Sequence, residues 1–329
     1  MKTVRLTMAQ ALVRFLSRQT TIVDGKKVPY FAGVWGIFGH GNVAGLGEAL
    51  YQVREELPTF RGQNEQGMAL AATAFGKAMF RRRAMACTTS IGPGALNMVT
   101  AAAVAHVDRI PLLLLPGDVF ANRIPDPVLQ QLENFGDGTL TANDCFRPVS
   151  RYFDRITRPE QIMPALERTM QVFFDPAESG PVTLGLCQDV QAEAYDYPEH
   201  FFDERIWTTR RIRPSLDELD AAADVLAKAK KPLIIAGGGV LFSQATDALK
   251  QFAEKHGLPF TLLADADKAV TKKYGVLKTY MGVMEMARRD TFLIDPQGRV
   301  AKHYESVDPD GHSKLVLEDI RALKARSGG

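Results

Sequence analysis

Residues 82–117 read RRAMACTTSIGPGALNMVTAAAVAHVDRIPLLLLPG, and the changes of pattern along this stretch decide the fold. AMACTTS is a compact β-prone run that breaks at Gly92-Pro93-Gly94. GALNMVTAAAVAHV then carries small and apolar residues at a length that suits a packed helix. IPLLLLPG follows as a short continuous apolar run, as expected of a central parallel strand covered on both faces.

The alternation repeats on either side. Upstream, TMAQALVRFLSR (7–18) has apolar residues at helical spacing with Thr7 as cap, and TTIVDGKKVPYF places Asp24-Gly25 between two short β-prone runs, a hairpin signal. YFAGVWG reads as a strand, NVAGLGEALYQVREE (42–56) as a helix, and a further strand ends at Arg61. Downstream, a helix over about 159–174 precedes the strand GPVTLGLCQ. Strands separated by helices predict a doubly wound parallel sheet, an α/β fold, over residues 1–190. Ligands on such sheets bind outside the carboxyl ends of the strands.

Composition narrows the classes. The chain has 329 residues, 46% hydrophobic and 24% charged, with net charge +2, so no general attraction to nucleic acid or acidic lipid is implied. The basic run RRRA (81–84) reads as a solvated helix end rather than a phosphate-binding patch. No apolar run reaches the roughly 20 residues of a membrane span. The N-terminal MKTVRLTMAQALVRFLSRQ carries charges inside its apolar stretch and no small-residue cleavage site, unlike a secretory signal. Cys87, Cys145 and Cys187 lack CxxC or zinc spacing, Cys87 and Cys187 read as packed thiols, and a reducing cytoplasmic setting is expected. No metal site is expected.

Three glycine-rich loops fall at the carboxyl edge: GIFGHGN (36–42), SIGPGALN (90–97) and PGDVF (116–120). Glu65 opens a helix of small residues there, in RGQNEQGMALAATAFG (61–76). It can complement the helix dipole behind an Asn64 cap. It can equally be a functional carboxylate with one dedicated partner, since an unpaired buried charge costs several kcal/mol. His40 sits on a loop flanked by glycines, where a solvated imidazole is the ordinary outcome. The shared edge keeps the functional reading of both open.

The order strand–loop–helix, then NEQG, TSIGPGALN and PGD, resembles the pyrimidine-binding domain of thiamine diphosphate enzymes of the acetolactate synthase type. Within that group, GVWGIFGHGNVAGLGEAL, SIGPGALNMVTAAA and PDPVLQQLENFGDGTLTANDCFRPVSRYFDRI resemble the trihydroxycyclohexane-dione hydrolases of inositol catabolism, from residue 1 to about 258. The resemblance implies thiamine diphosphate as cofactor and hydrolysis of a carbon–carbon bond in a polyhydroxylated cyclic dione. It implies that Glu65 hydrogen-bonds N1′ of the aminopyrimidine, favouring the imino tautomer that activates the thiazolium C2. His40 matches a region facing the reacting carbons, which suits proton transfer. Asn64, Gly92, Pro93 and Asn97 match backbone or pocket contacts to the cofactor. A homodimer through this domain is implied as well.

The diphosphate domain of the family carries Gly-Asp-Gly and a downstream Asn that hold Mg2+. Here the only Gly-Asp-Gly is Gly136-Asp137-Gly138, with no apolar strand before it, and no Asn follows Asn143. The Mg2+ ligands are therefore expected to be absent, leaving a pyrimidine half-site and a chain inactive alone. A non-catalytic module that keeps the fold is the competing reading. Residues 191–213 read as a linker and 214–258 as a partial Rossmann-like central domain, in which SLDELDAAADVLAKAKKPLIIAGGGVLFSQATDALKQFAEKHGLPF runs helix, strand, turn, helix, strand. From 259 to 329, PFTLLADADKAVTKKYGV, RRDTFLIDPQGRVAKHY and HSKLVLEDIRALKA resemble the C-terminal half of a bacterioferritin-comigratory-type peroxiredoxin, a half thioredoxin-like tail in which Arg289 matches the arginine beside the peroxidatic cysteine. No cysteine follows Cys187, so that tail has no thiolate for peroxidase chemistry. A join is expected near 257–261. The lack of a GxGxxG fingerprint with a later acidic residue argues against a nicotinamide dehydrogenase.

Overall fold

The computed structural model describes residues 2–229, 236–255, 277–280, 284–287, 290–295, 298–306 and 312–327, with the single positions 273 and 275. The chain enters through β1 (Thr3–Thr7) and turns directly into α1 (Met8–Ser17). Thr7 caps that helix in a capping box: its hydroxyl accepts from the Gln10 N–H (3.2 Å) and the Gln10 side chain accepts from the Thr7 N–H (3.0 Å). β2 (Gln19–Val23) and β3 (Lys26–Pro29) form the hairpin, with Asp24 and Gly25 at φ 50° and 78° as a primed turn requires.

The main sheet follows. β4 (Phe31–Gly36) leads through a π-helical turn at Val43–Gly47 into α2 (Glu48–Gln52), and β5 (Thr59–Arg61) into α3 (Glu65–Ala78). β6 (Ala84–Thr89), α4 (Pro93–Leu96), α5 (Val99–Asp108) and β7 (Leu112–Asp118) come next, and then β8 (Tyr152–Ile156), α6 (Ile162–Phe173) and β9 (Pro181–Cys187). The helix spacing at 42–56 is realised only as the π-turn and the five residues of α2. There Gly45 packs so closely that an added Cβ would lie 2.5 Å from Cβ of Gln191.

All six strands are parallel, in the order β5-β4-β6-β7-β9-β8. Every residue of β6, β7 and β9 is buried, which is what their near-continuous apolar sequence requires. One face is covered by α1 and α6 with large side chains such as Phe15, Leu12 and Phe173. The other is covered by α3 and α5 with Ala69, Ala72, Ala101 and Ala105, so those helices lie close to the sheet. At Gly76 an added Cβ would meet Ile110 at 2.7 Å.

The segment 191–213 is held to this body for most of its length. β10 (Ala194–Pro198) pairs antiparallel with β1, and β11 (Arg205–Trp207) pairs parallel with β2. Trp207 donates its indole N–H to Gln19 Oε1 (2.8 Å) and stacks on Phe174 at 5.4 Å. The stretch read as a linker is thus tied in up to Trp207, and only 208–215 is free of regular structure. Residues 209–229 are all exposed, including α7 (Leu216–Lys228). Limited trypsin digestion is therefore expected to leave a resistant fragment ending at Arg210, Arg211 or Arg213. A first cut before Ala194 would show that β10 and β11 do not hold.

After α8 (Gly238–Phe242) and α9 (Thr246–Lys255) the description is discontinuous, and the chain divides into two compact units at Thr246/Asp247. The second contains two antiparallel strand pairs, Leu277–Tyr280 with Met284–Ala287 and Thr291–Ile294 with Val300–Tyr304, and the helix His312–Ser327. These pairs do not join into a common sheet among the described residues, so the half thioredoxin-like tail is not seen. The strand read at 231–235, the segment 257–261 and Arg289 lie outside the described residues.

Candidate active site

The chain leaves β4 for the edge position of β5 and returns across it to β6. Connections reverse direction there, and in sheets of this kind the ligand crevice lies at such a switch point, outside the carboxyl ends of the strands, here β4 and β6. The loops after these two strands are tied together. The Ile91 N–H donates to the His40 carbonyl (2.9 Å) and the Ile37 N–H to the Thr88 carbonyl (3.1 Å). Asn42, 2% exposed, braces the first loop: its side-chain nitrogen donates to the Ile37 carbonyl (3.1 Å) and the Thr88 hydroxyl (3.2 Å), and its oxygen accepts from the Gly39 N–H (2.9 Å).

Glu65 is the first residue of α3 and is half-buried. Asn64 is the N-cap, with Oδ1 accepting from the Gly67 N–H (2.8 Å), so its side chain is committed to the helix start. The Glu65 carboxylate has a dedicated partner across the crevice: Asn97 Nδ2 donates to Oε2 at 2.9 Å. Asn97 is the C-cap of α4, whose first residue is Pro93 and whose N-cap is Gly92. Gly92 adopts φ +65°, and a Cβ there would overlap the Gln130 carbonyl oxygen, so glycine is required by packing alone. Gly94 lies beside the carboxylate. A Cβ at that position would sit 3.4 Å from Glu65 Oε1 and collide with the Ser90 hydroxyl, so the bare backbone leaves Oε1 uncovered on that side.

His40 is exposed and lines a cavity of about 460 Å³ with Gly41, Val43, Phe120, Gln188 and Ala192. Glu65 does not line that cavity. Gln191 fixes its wall, donating to the Gly41 and Leu186 carbonyls (the latter at 3.1 Å) and accepting from the Leu46 N–H (3.1 Å). The structure thus joins Glu65 to Asn97 directly, joins Gly92 and Pro93 to them through α4, and sets His40 on the adjoining loop.

Sequence reasoning missed Asn42 and Gln191, whose side chains shape these loops. It also missed an ion-pair network at the end of β7. Asp118, 1% exposed, accepts from Arg155 Nε (2.9 Å), and Arg155 also pairs with Asp144 (2.9 Å). Burial opposes the Asp144 charge, but the Thr141 N–H and the guanidinium groups of Arg147 and Arg155 hold its carboxyl below the ordinary carboxylate range. Cys87 and Cys187 are packed thiols, pushed well above the usual thiol range by burial, while Cys145 is exposed. Among the described residues no group of three or more His, Cys, Asp or Glu side chains is placed to hold a metal ion, and no helix is long and apolar enough to cross a membrane.

Comparison with known proteins places this geometry. Residues 30–137 match the N-terminal TPP binding domain of the thiamine pyrophosphate enzymes, and residues 219–292 match the central domain of the same enzymes. The second match runs across 257–261, where the sequence reading sets a join. The chain is 53% identical over 260 residues to the 3D-(3,5/4)-trihydroxycyclohexane-1,2-dione hydrolase of Geobacillus thermodenitrificans, covering 79% of this chain and 41% of that protein. The enzyme of the same name from Clostridium tetani is 48% identical over 283 residues, 86% of this chain and 44% of that protein. One from Bacillus cereus is 52% identical over 260 residues, 79% of this chain and 40% of that protein. The chain spans less than half the length of these relatives, and none of these matches supports the peroxiredoxin resemblance of 259–329. The chain belongs to the thiamine pyrophosphate enzymes, of which it carries the N-terminal TPP binding domain and the central domain.

Proposed function

We propose that this chain supplies the pyrimidine side of a thiamine diphosphate site. Together with a diphosphate-binding domain, it opens the ring of a trihydroxycyclohexane-1,2-dione by hydrolysing a carbon–carbon bond. The observation that carries this reading is the 2.9 Å hydrogen bond from Asn97 to Glu65 Oε2 at the switch point of the sheet. It fixes the carboxylate and leaves Oε1, beside the side-chain-free Gly94, to meet a ligand nitrogen. A carboxylate held in this way suits the aminopyrimidine, and the residues present fit that half of the cofactor. When bound, the cofactor supplies an electron sink for breaking a bond next to a carbonyl.

The chain's own residues then have separate tasks. Glu65 holds or shares a proton at Oε1. Asn97 keeps that carboxylate turned toward the crevice, and Gly92 and Pro93 set the start of α4 that carries Asn97. Asn64 acts only on the helix start. His40, with its imidazole in the adjoining cavity, moves protons to and from substrate oxygens. The magnesium that grips the diphosphate is assigned to the other domain.

The solvent face of α3, with Gly67, Leu70, Ala71 and Ala74, lies beside Val104 and Val107 of α5 and suits packing against a second copy. Combined with a diphosphate-binding domain taken from one of the relatives, the chain is expected to convert the dione to an open-chain acid with gain of one water, read by mass spectrometry. Decarboxylation of a simple 2-oxo acid, with the dione untouched, would overturn the substrate assignment.

A further inference from the structure

At the opposite edge of the sheet, where β6, β7, β8 and β9 begin, lies a second and larger cavity of about 970 Å³. Seven Lys and Arg side chains line it against two carboxylates, Asp108 and Asp175. Four of the seven have partners: Lys77 pairs with Asp108 (2.9 Å), Arg82 with Asp24 (2.8 Å), Arg151 with Glu178 (2.9 Å), and Arg211 donates to Gln244 Oε1 (2.7 Å). Arg81, Arg109 and Arg210 have no ion-pair partner among the described residues.

Arg81 stands at the centre of this arrangement. The sequence reads it as part of a solvated helix end, but the structure half-buries it. Its backbone turns left-handed at φ +62° just beyond α3, which swings the side chain across the C-terminus of α5. One terminal nitrogen donates to the Asp108 carbonyl (3.2 Å), and the guanidinium lies 3.6 Å from the centre of the Phe242 ring. Its Nε is buried and finds no hydrogen-bond partner among the described residues, and the same holds for Arg151 Nε and His106 Nδ1. Burial first, and then the neighbouring charge of Arg109, bring the Arg81 pKa down to about 10. Two like charges are held close in a partly dry site, and the nearby Asp108 carboxylate offsets this only in part.

Cations at helix C-termini complement exposed carbonyls. That accounts for Lys77 and for one nitrogen of Arg81. The same reason covers Arg109, which is the C-cap of α5. It does not account for Arg151 and Arg210, which arrive from two other segments, or for the buried, unpartnered nitrogens of Arg81, Arg151 and His106.

We propose that this cavity binds an oligophosphate held by Arg81, Arg109 and Arg151, with Arg210 at the rim. Guanidinium forks match phosphate oxygens two at a time and remain charged throughout the physiological range. The volume lies within the roughly 300–1,000 Å³ of small-molecule sites. Phe80, 38% exposed, offers an aromatic face for a base if the oligophosphate is a nucleotide. The site lies at the strand edge opposite Glu65 and does not depend on the function proposed above.

The test is titration calorimetry on the full chain with inorganic triphosphate in one arm and ATP in the other, both without magnesium. Saturable binding of one molecule per chain is expected. Arg109→Gln and Arg81→Gln should each weaken it by at least about tenfold, the value of one charge-assisted hydrogen bond. Arg109 is exposed, so its variant keeps the fold, which a matching urea midpoint verifies. Tighter binding of ATP than of triphosphate assigns a nucleotide, and equal binding assigns the phosphate chain alone. The proposal is overturned if no saturation is reached at millimolar triphosphate or ATP. It is overturned equally if both variants bind like the parent, or if binding is lost in Glu65→Gln instead.

Discussion

Replacing Arg155 by leucine is expected to destabilise the N-terminal unit by about 3–5 kcal/mol, the range found when one partner of a buried ion pair is removed. Among the described residues Arg155 is the one cation paired with Asp118, which is 1% exposed at the carboxyl end of β7. Its other nitrogens reach the Thr139 carbonyl (3.1 Å), the Thr141 hydroxyl (2.7 Å) and Asp144 (2.9 Å), so one side chain fastens the 139–144 segment to the sheet. Burial alone would lower the Arg155 pKa, and the two carboxylates more than reverse that. In the variant, Asp118 remains buried without a counter-charge, a cost that protonation of the carboxyl removes, so the deficit against the parent should shrink on acidification toward pH ~4. Urea denaturation at several pH values measures both effects. A loss below about 1 kcal/mol at neutral pH would show that water reaches Asp118. The double variant Asp118→Asn, Arg155→Leu should recover part of the loss, because the two residues act as a pair.

The parts of the fold that were legible in the sequence are those set by local pattern. The β6–α5–β7 unit, the Asp24-Gly25 hairpin and the Thr7 cap each follow from spacing within a few residues. The strands β10 and β11 were not legible, because AYDYP and RIW are short, polar or half-exposed, and their partners β1 and β2 lie more than 180 residues earlier. Pairing at that separation leaves no periodic trace, so the stretch reads as a linker. The candidate site shows the same division. Glu65 and Asn97 both stand out from their motifs, but their hydrogen bond joins residues 32 apart and requires the strand order β5-β4-β6. Asp118 and Arg155 are likewise joined only because β9 lies between β7 and β8 in space and after both in sequence. Arg81 illustrates the limit of composition: RRRA predicts a solvated end, whereas the left-handed turn at Phe80 and Arg81 folds one of those arginines inward.

Glu65→Gln is expected to slow exchange of the C2 proton of bound thiamine diphosphate by roughly 10²–10⁴-fold, the range of general acid–base contributions, with the fold retained. The substitution is nearly isosteric. An amide oxygen can still accept from Asn97 and Asn64 still caps α3, so packing around the crevice is preserved. What the amide lacks is a group able to hold and return a proton. The competing reading, in which Glu65 merely complements the helix dipole, makes a different forecast: a stability loss of about 0.3–1 kcal/mol and unchanged exchange. The measurement is hydrogen–deuterium exchange at C2 by NMR, with the diphosphate-binding domain supplied, alongside urea denaturation of parent and variant. Parent-like exchange in Glu65→Gln would remove the carboxylate from the chemistry and leave it a helix-start residue. Asn97→Ala separates positioning from proton sharing. It keeps the carboxyl group but frees Oε2, so exchange should fall less than in Glu65→Gln, and Asn97→Asp should fare worse than Asn97→Ala because it sets a second negative charge against Glu65 and offers no N–H.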